Sequence, residues 1–237
     1  MIITYATILH MLNEKELTVE KINVDIDKHI DDICKEFRDG FKFIEKYPKS
    51  VTIFGSSRLT DASSHYGDAK RLAERIVKDL DYTVITGGGP GIMAAANLGA
   101  RDVGGRSIGL NINIPNEQHR NPYITESITF DYFFTRKTIL NFAAEAYVFF
   151  PGGFGTLDEL FGILTLIQTK KIPAVPIILF GKDFWNPFKD FLTETVLHQH
   201  HTIEDKDLDL FVITNSIDSV LKIVKGAPVS EWWKMMD

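Results

Sequence analysis

Along the first 49 residues, apolar positions return every three or four residues, at Ile26, Ile30, Ile33, Phe37, Phe41 and Ile44, with charged side chains between them. That spacing places the apolar side chains on one stripe of a helix, so a helical N-terminal extension is expected. From Ser50 the pattern changes to short apolar runs alternating with helical stretches. The runs VTIFG, YTVITGGG, RSIGLNINI, ITFDYFF, AYVFFPGG, VPIILFG and FVITN read as strands, and the segments near 66–80, 90–103, 135–145, 156–169, 187–197 and 216–225 read as helices. Strands that are apolar on both faces and separated by helices belong to a parallel sheet covered on both sides. The predicted fold is α/β, a doubly wound Rossmann-like parallel sheet over residues 50–237 with a C-terminal tail, preceded by the helical extension over 1–49. The two parts are expected to form one globular unit.

Composition agrees with a single large unit, since 237 residues at 44% hydrophobic and 24% charged can bury a substantial core. A net charge of -6 is the wrong sign for a nucleic-acid footprint, which needs clustered Lys and Arg, so a small-molecule partner is expected instead. The single cysteine, Cys34, can form no internal disulfide, and no Cys/His spacing of zinc type occurs, which fits a reducing cytoplasm and predicts no bound metal. The opening MIITYATILHML has neither a basic n-region nor a small-residue cleavage site, and no apolar run reaches the length of a membrane span. Neither a targeting segment nor a membrane partner is expected.

Open parallel sheets bind ligands beyond the carboxyl ends of their strands, and three predicted strand ends here carry small-residue turns: GSSR, TGGGPG and PGGFGT. Glycines between a strand end and a helix start allow backbone N–H groups to face outward, where the helix dipole adds to their attraction for an anion. TGGGPGIMAAAN and PGGFGTLDE both have this form, and Thr156 adds a hydroxyl to the second. A phosphate is the expected guest, although such glycines also make plain tight turns. The common nucleotide fingerprints fail: G-x-G-x-x-G would need glycine where Ile92 and Asp158 stand, and the second strand ends at Thr86 without the acid that holds an NAD ribose. No Walker sequence occurs either, since Gly181-Lys182 is followed by Asp183. Hydride transfer and triphosphate hydrolysis are both poorly supported.

TGGGPGIMAAANLGA, PNEQHRNPY, YFFTRK and PGGFGTLDEL follow one another in order, and over roughly residues 50–225 the chain resembles the LOG (Lonely Guy) family. These are cytokinin riboside 5'-monophosphate phosphoribohydrolases, whose bacterial relatives act on AMP and similar nucleotides and whose members have been labelled possible lysine decarboxylases. The resemblance implies hydrolysis of the N-glycosidic bond between a base and ribose 5-phosphate, with no cofactor or metal, in a homodimer or larger assembly with sites near the interface. By the same resemblance Arg136 and Glu159 match the catalytic pair, and Lys137, Gly152, Gly153, Gly155, Thr156, Thr165 and Glu117 match positions that contact the nucleotide. Gly55 and Ser56 in the first turn, and Gly88, Gly89 and Met93 in the second, complete the implied substrate-binding set. The extension resembles the longer bacterial members, many of which carry Glu where this chain has Ala94.

The chemistry explains why acids follow an anion cradle. Cleavage at C1' develops positive charge on the ribose, as in glycoside hydrolysis, while the phosphate stays a passive handle. With the phosphate on the N–H groups of Gly153 to Thr156, Glu159 lies about one helical turn inward, placed to stabilise the ribosyl cation or orient the attacking water. Arg136 is a permanent cation for phosphate, ribose hydroxyls or the leaving base, and Lys137 is expected to contact the phosphate. Each residue has a plainer reading. Thr156-x-x-Glu159 also fits a capping box, in which the acid bonds back to the helix start and does no chemistry. Arg136 and Lys137 also fit the solvated start of a helix, where cations oppose the dipole unless something compensates them. HQHH at 198–201 reads as a loop or helix end, His119 as a surface histidine, and EWWKMMD as a docked tail. A decarboxylase is disfavoured because no lysine has the context of a Schiff-base site. Two other functions remain open at this point, a nucleotide-binding or sensing module without turnover and a nicotinamide or flavin oxidoreductase.

Overall fold

The computed structural model describes residues 19–114 and 120–228. Helix α1 (Val19–Ile44) leads into β1 (Ser50–Phe54), followed by α2 (Ser64–Leu80), β2 (Thr83–Thr86), α3 (Ile92–Asp102), β3 (Ser107–Ile112) and β4 (Glu126–Phe130). Helix α4 (Phe133–Asn141), β5 (Ala146–Phe149), α5 (Phe154–Gln168), β6 (Ile177–Phe180), α6 (Lys182–Phe191), β7 (Val212–Thr214) and α7 (Ile217–Gly226) complete the order. Helix α6 widens into a π-helical stretch, Leu192–Gln199, so the exposed HQHH sequence does close a helix end.

All seven predicted strands form, in one sheet of order β4-β3-β2-β1-β5-β6-β7, and every pairing is parallel. The chain winds outward from β1 to β4, then returns to place β5 on the other side of β1. The carboxyl ends of β1 and β5 therefore flank the point where the strand order reverses, which is where open α/β sheets bind ligands. Strands β1, β2, β5 and β6 are buried along their whole length because helices cover both faces. One apolar layer packs Leu72, Ile76, Ile92, Ala96, Val220 and Val224 of α2, α3 and α7 against the sheet. The opposite layer gathers Ile139, Leu160, Ile163 and Trp185 of α4, α5 and α6 with Phe43 and Ile44 of α1.

The apolar stripe of α1 is therefore only partly used: Phe43 and Ile44 are buried, whereas Ile26 and Ile30 are exposed. One prediction overran its element. ITFDYFF is strand only to Phe130, and Phe133 opens α4. Among the described residues no helix is long and apolar enough to cross a membrane.

Candidate active site

Three turns meet at the switch point, and Ser56 stitches them together. Its N–H donates to the Pro151 carbonyl in the β5 turn (3.0 Å), and its own carbonyl accepts from Ile92 N–H at the start of α3 (3.0 Å). Its hydroxyl oxygen accepts from Arg58 N–H at 3.1 Å. Over these turns opens a cleft of about 680 Å³, whose walls include Gly55, Ser56, Gly87, Met93, Arg136 and the run Gly153 to Glu159. Phe54, Ile112, Ile114, Phe133 and Leu157 give it a broad apolar wall.

Helix α5 points its N-terminus into this cleft. Its N-cap is Gly153, which has no side chain to cap with, and the first turn holds no acid. The N–H groups of Phe154, Gly155 and Thr156 are orphans of helix geometry, and they carry the positive end of the dipole. At Gly152 an added Cβ would lie 2.1 Å from Thr156 Oγ1, so only glycine lets that hydroxyl pack down over the turn. Because the cap is Gly153, Thr156 is the third helical residue and not the cap. The capping-box alternative for Glu159 therefore falls: α5 has no side-chain capping bond, and Glu159 sits on the buried stripe with Thr156, Leu160 and Ile163.

Glu159 is 8% exposed, and its Oε2 has no hydrogen-bond partner. Burial pushes its carboxyl up to about 7, against the downward pull of Arg136 and then Lys137, with Asp158 adding an upward push. A carboxyl with that value near neutrality, set by desolvation beside a cation, is a mark of functional sites.

Arg136 comes from the second turn of α4. Its Nε donates to the Leu110 carbonyl at 2.7 Å and an Nη to the Gly87 carbonyl at 3.3 Å, so the guanidinium bridges the ends of β2 and β3. A Cβ on Gly87 would lie 2.3 Å from that Nη, which is why glycine stands there. Burial lowers the guanidinium's value and Glu159 raises it, and the group remains charged. No ion pair joins Arg136 to Glu159; the two face the same cleft from different helices.

Several expected contacts lie elsewhere. Gly88 and Gly89 are buried and turned inward: Gly88 N–H donates to Thr86 Oγ1 (3.0 Å), and the Gly88 and Gly89 carbonyls accept from Asn121 Nδ2 (3.1 and 3.0 Å). Of the first glycine loop, Gly87 lines the cleft, and the Gly88 N–H is turned back to Thr86. Lys137 does not line the cleft. Its ammonium donates to the Asp158 carbonyl at 3.0 Å and pairs with the Asp158 carboxylate at 2.6 Å. Thr165 is exposed on the outer face of α5, and Ala94 is buried in α3. Glu117 and His119 lie outside the described residues, as do the tryptophans of EWWKMMD. Among the described residues no three His, Cys, Asp or Glu side chains gather as a metal site.

A family model described as possible lysine decarboxylase matches residues 93–224, more than half of the chain. The chain belongs to this family. It is the LOG family of the sequence motifs, and curated relatives carry that name. The LOG cytokinin riboside 5'-monophosphate phosphoribohydrolase of Oryza sativa subsp. japonica is 25% identical over 186 residues, covering 77% of this chain and 76% of its own. LOG2 of Arabidopsis thaliana is 25% identical over 150 residues, covering 62% of this chain and 70% of its own. Among solved structures, the molybdenum cofactor carrier protein of Chlamydomonas reinhardtii is similar at a TM-score of 0.55 and 19% identity, covering 75% of this chain and 96% of that one. That last likeness is one of fold alone.

In this LOG-family chain the predicted site residues are held by others to which the sequence reading gave no role. Asn97 on α3 accepts from Thr86 Oγ1 and from Asn121 Nδ2 and donates to Ser107 Oγ, a buried network that fixes the second turn. The signal in the sequence is an asparagine among the alanines of IMAAAN, a polar residue where the helix faces the sheet. Arg58, Ile112 and Phe133 also line the cleft, and each stands at or just beyond a strand end.

Proposed function

We propose that this protein hydrolyses the N-glycosidic bond of a purine nucleoside 5'-monophosphate, AMP or a cytokinin riboside monophosphate, to free base and ribose 5-phosphate. One observation carries the reading: an unpaired, buried Glu159 and the anchored Arg136 face one cleft beside the bare N-terminus of α5. The phosphate sits on the N–H groups of Phe154 to Thr156, the ribose lies between Glu159 and Arg136, and the base lies on the wall of Phe54, Met93, Ile112 and Phe133. The C1'–N bond breaks as water oxygen bonds to C1'. One proton of that water ends on the leaving nitrogen. Glu159 stabilises the cationic sugar or orients the water, and Arg136 opposes charge on the departing base.

The test is a panel of nucleotides and nucleosides read by chromatography for free base and ribose 5-phosphate. AMP is expected to be cleaved far faster than adenosine, because the uncapped N-terminus of α5 attracts an anion in the cleft; equal rates would remove the phosphate from the reading. A second reading, a binding or sensing module without turnover, is favoured by the fold shared with a protein named as a cofactor carrier. Tight AMP binding with no base released on any member of the panel selects it.

We also propose a homo-oligomer with its contacts beside the cleft, because Phe133, Phe134, Phe154 and Phe161 are 62%, 51%, 94% and 44% exposed on α4 and α5. An apolar patch of this kind marks an interaction surface. Phe161→Asp is expected to reduce the mass measured by light scattering to that of one chain. An unchanged oligomer in that variant places the interface elsewhere.

A further inference from the structure

Helix α4 carries Arg136, yet no side chain of its own caps its start, and the carboxylate of Asp131, just before the cap, accepts from Asn113 instead. Its N-cap is Tyr132, which makes no side-chain capping bond, and no acid occupies its first turn. Two cations, Arg136 and Lys137, follow in the next turn, where they oppose the helix dipole. The missing acid comes from α1. Glu36 Oε1 accepts from Asp131 N–H at 2.6 Å, and Oε2 accepts from Tyr132 N–H at 3.4 Å and from the Thr135 hydroxyl. Thr135 is fully buried and is the residue next to Arg136. The docking around this contact is close: His29 Nδ1 lies 2.8 Å from Tyr132 Oη, Phe37 and Phe134 rings are 6.4 Å apart, and a Cβ on Gly40 would lie 2.6 Å from Ile139 Cγ1.

We propose that Glu36 is a positioning residue for Arg136, which makes the N-terminal helix a working part of the active site. The carboxylate fixes the first turn of α4 in place and supplies the negative charge that a helix start followed by two cations needs. With the turn fixed, the Arg136 fork reaches the Leu110 and Gly87 carbonyls and faces Glu159 across the cleft. Without it, the turn relaxes and the guanidinium moves relative to Glu159. This inference rests on the catalytic reading of Arg136 and Glu159, so its test includes a measurement that needs no turnover.

That measurement is the titration of Glu159 by carbon-13 NMR of labelled glutamate carboxyls in the full-length protein, assigned by its absence in Glu159→Gln. The charged groups around Glu159 are Arg136 and Lys137 of α4 and Asp158 of its own helix, with the Tyr147 hydroxyl of β5 within its field and Arg58 of the β1 turn on the wall of the same cleft. Of these, only the α4 cations are displaced by loosening the cap. Glu36→Ala is expected to move the Glu159 titration to higher pH and to lower kcat on AMP by about tenfold to a hundredfold, with KM near the parent because the phosphate is held by α5. Glu36→Gln keeps one acceptor and is expected to show the same changes in smaller size; it also serves if the alanine variant does not fold. Phe41→Leu, which weakens the packing of α1 on Phe142 and on the Phe37 ring while leaving the Glu36 carboxylate in place, is the control for lost stability. It is expected to lower the melting temperature while the Glu159 titration and kcat stay at parent values. A Glu159 titration unmoved in both Glu36 variants, or moved equally in Phe41→Leu, overturns the proposal. A titration that moves in the Glu36 variants alone supports the positioning role even if the parent releases no base, an outcome that would remove the hydrolase reading by itself.

Discussion

Glu159→Gln is expected to lower turnover of AMP by about two to four orders of magnitude while leaving AMP affinity near that of the parent. The substitution keeps the shape and removes the charge, and it leaves the start of α5 untouched because that helix is capped at Gly153. Binding persists because the phosphate contacts are backbone N–H groups of the first turn. The parent should also show kcat/KM rising through a pH of about 7, as the buried carboxyl gives up its proton, and this limb should vanish in the variant. Stability moves in a direction that checks the same group. The carboxyl's ordinary value of 4.5 is raised to about 7 by burial, so the folded protein holds this proton more tightly than the unfolded chain does. Between those two values the unfolded state binds fewer protons, so Glu159 makes the parent less stable as pH rises, and the whole of that loss persists above the upper value. Gln has no charge to bury. Relative to the parent, Glu159→Gln is therefore expected to melt higher at about pH 8 than at about pH 5. A variant that binds AMP and hydrolyses it at the parent rate would leave Glu159 as a buried acid with no part in the chemistry.

The sheet is legible in the sequence because the strands at its centre are apolar on both faces, and runs such as AYVF and IILF that alternate with helices fit a parallel sheet covered on both sides. The place of the candidate cleft is legible for a related reason, since the turns GSSR and PGGFGT end β1 and β5, and these are neighbours in the sheet. What escapes the sequence depends on partners far along the chain. ITFDYFF looks like one strand because its aromatics suit a pleated surface, but a carboxylate at Glu36, 95 residues before Asp131, starts a helix inside it. Thr156-x-x-Glu159 matches a capping box by spacing alone, and the actual start of α5, three residues earlier at a glycine, turns the pair inward. TGGG reads as a row of outward N–H groups, whereas in the fold the Gly88 N–H turns back to Thr86 and two of the loop's carbonyls accept from Asn121. Lys137 looks like a phosphate ligand until Asp158, on a different helix, pairs with it. In each case the local pattern is real, and a contact across the fold adds a partner that spacing along the chain does not show.

Arg136 separates charge from geometry when two replacements are compared. Its fork satisfies the Leu110 and Gly87 carbonyls while the positive charge faces the cleft, and a lysine ammonium cannot reproduce two such donations from one planar group. Arg136→Lys keeps the cation but not its fixed place, so Glu159 should titrate at a somewhat higher pH than in the parent, short of the shift in a variant with no cation. Turnover of AMP is expected to fall by about a hundredfold or more, the usual loss when a preorganised electrostatic group is displaced. Arg136→Met removes the charge altogether. The downward pull on Glu159 is lost, so the acidic limb of kcat/KM should move to higher pH, and turnover should fall at least as far as in the lysine variant. Both variants leave buried carbonyls short of a donor and are expected to be less stable, so rates are compared at a temperature where circular dichroism shows each still folded. If Arg136→Met turns over AMP at the parent rate, the residue is a structural bridge between β2 and β3 and the departing base needs no cation. If the limb moves in Arg136→Lys as far as in Arg136→Met, position and not charge governs the field that Glu159 feels.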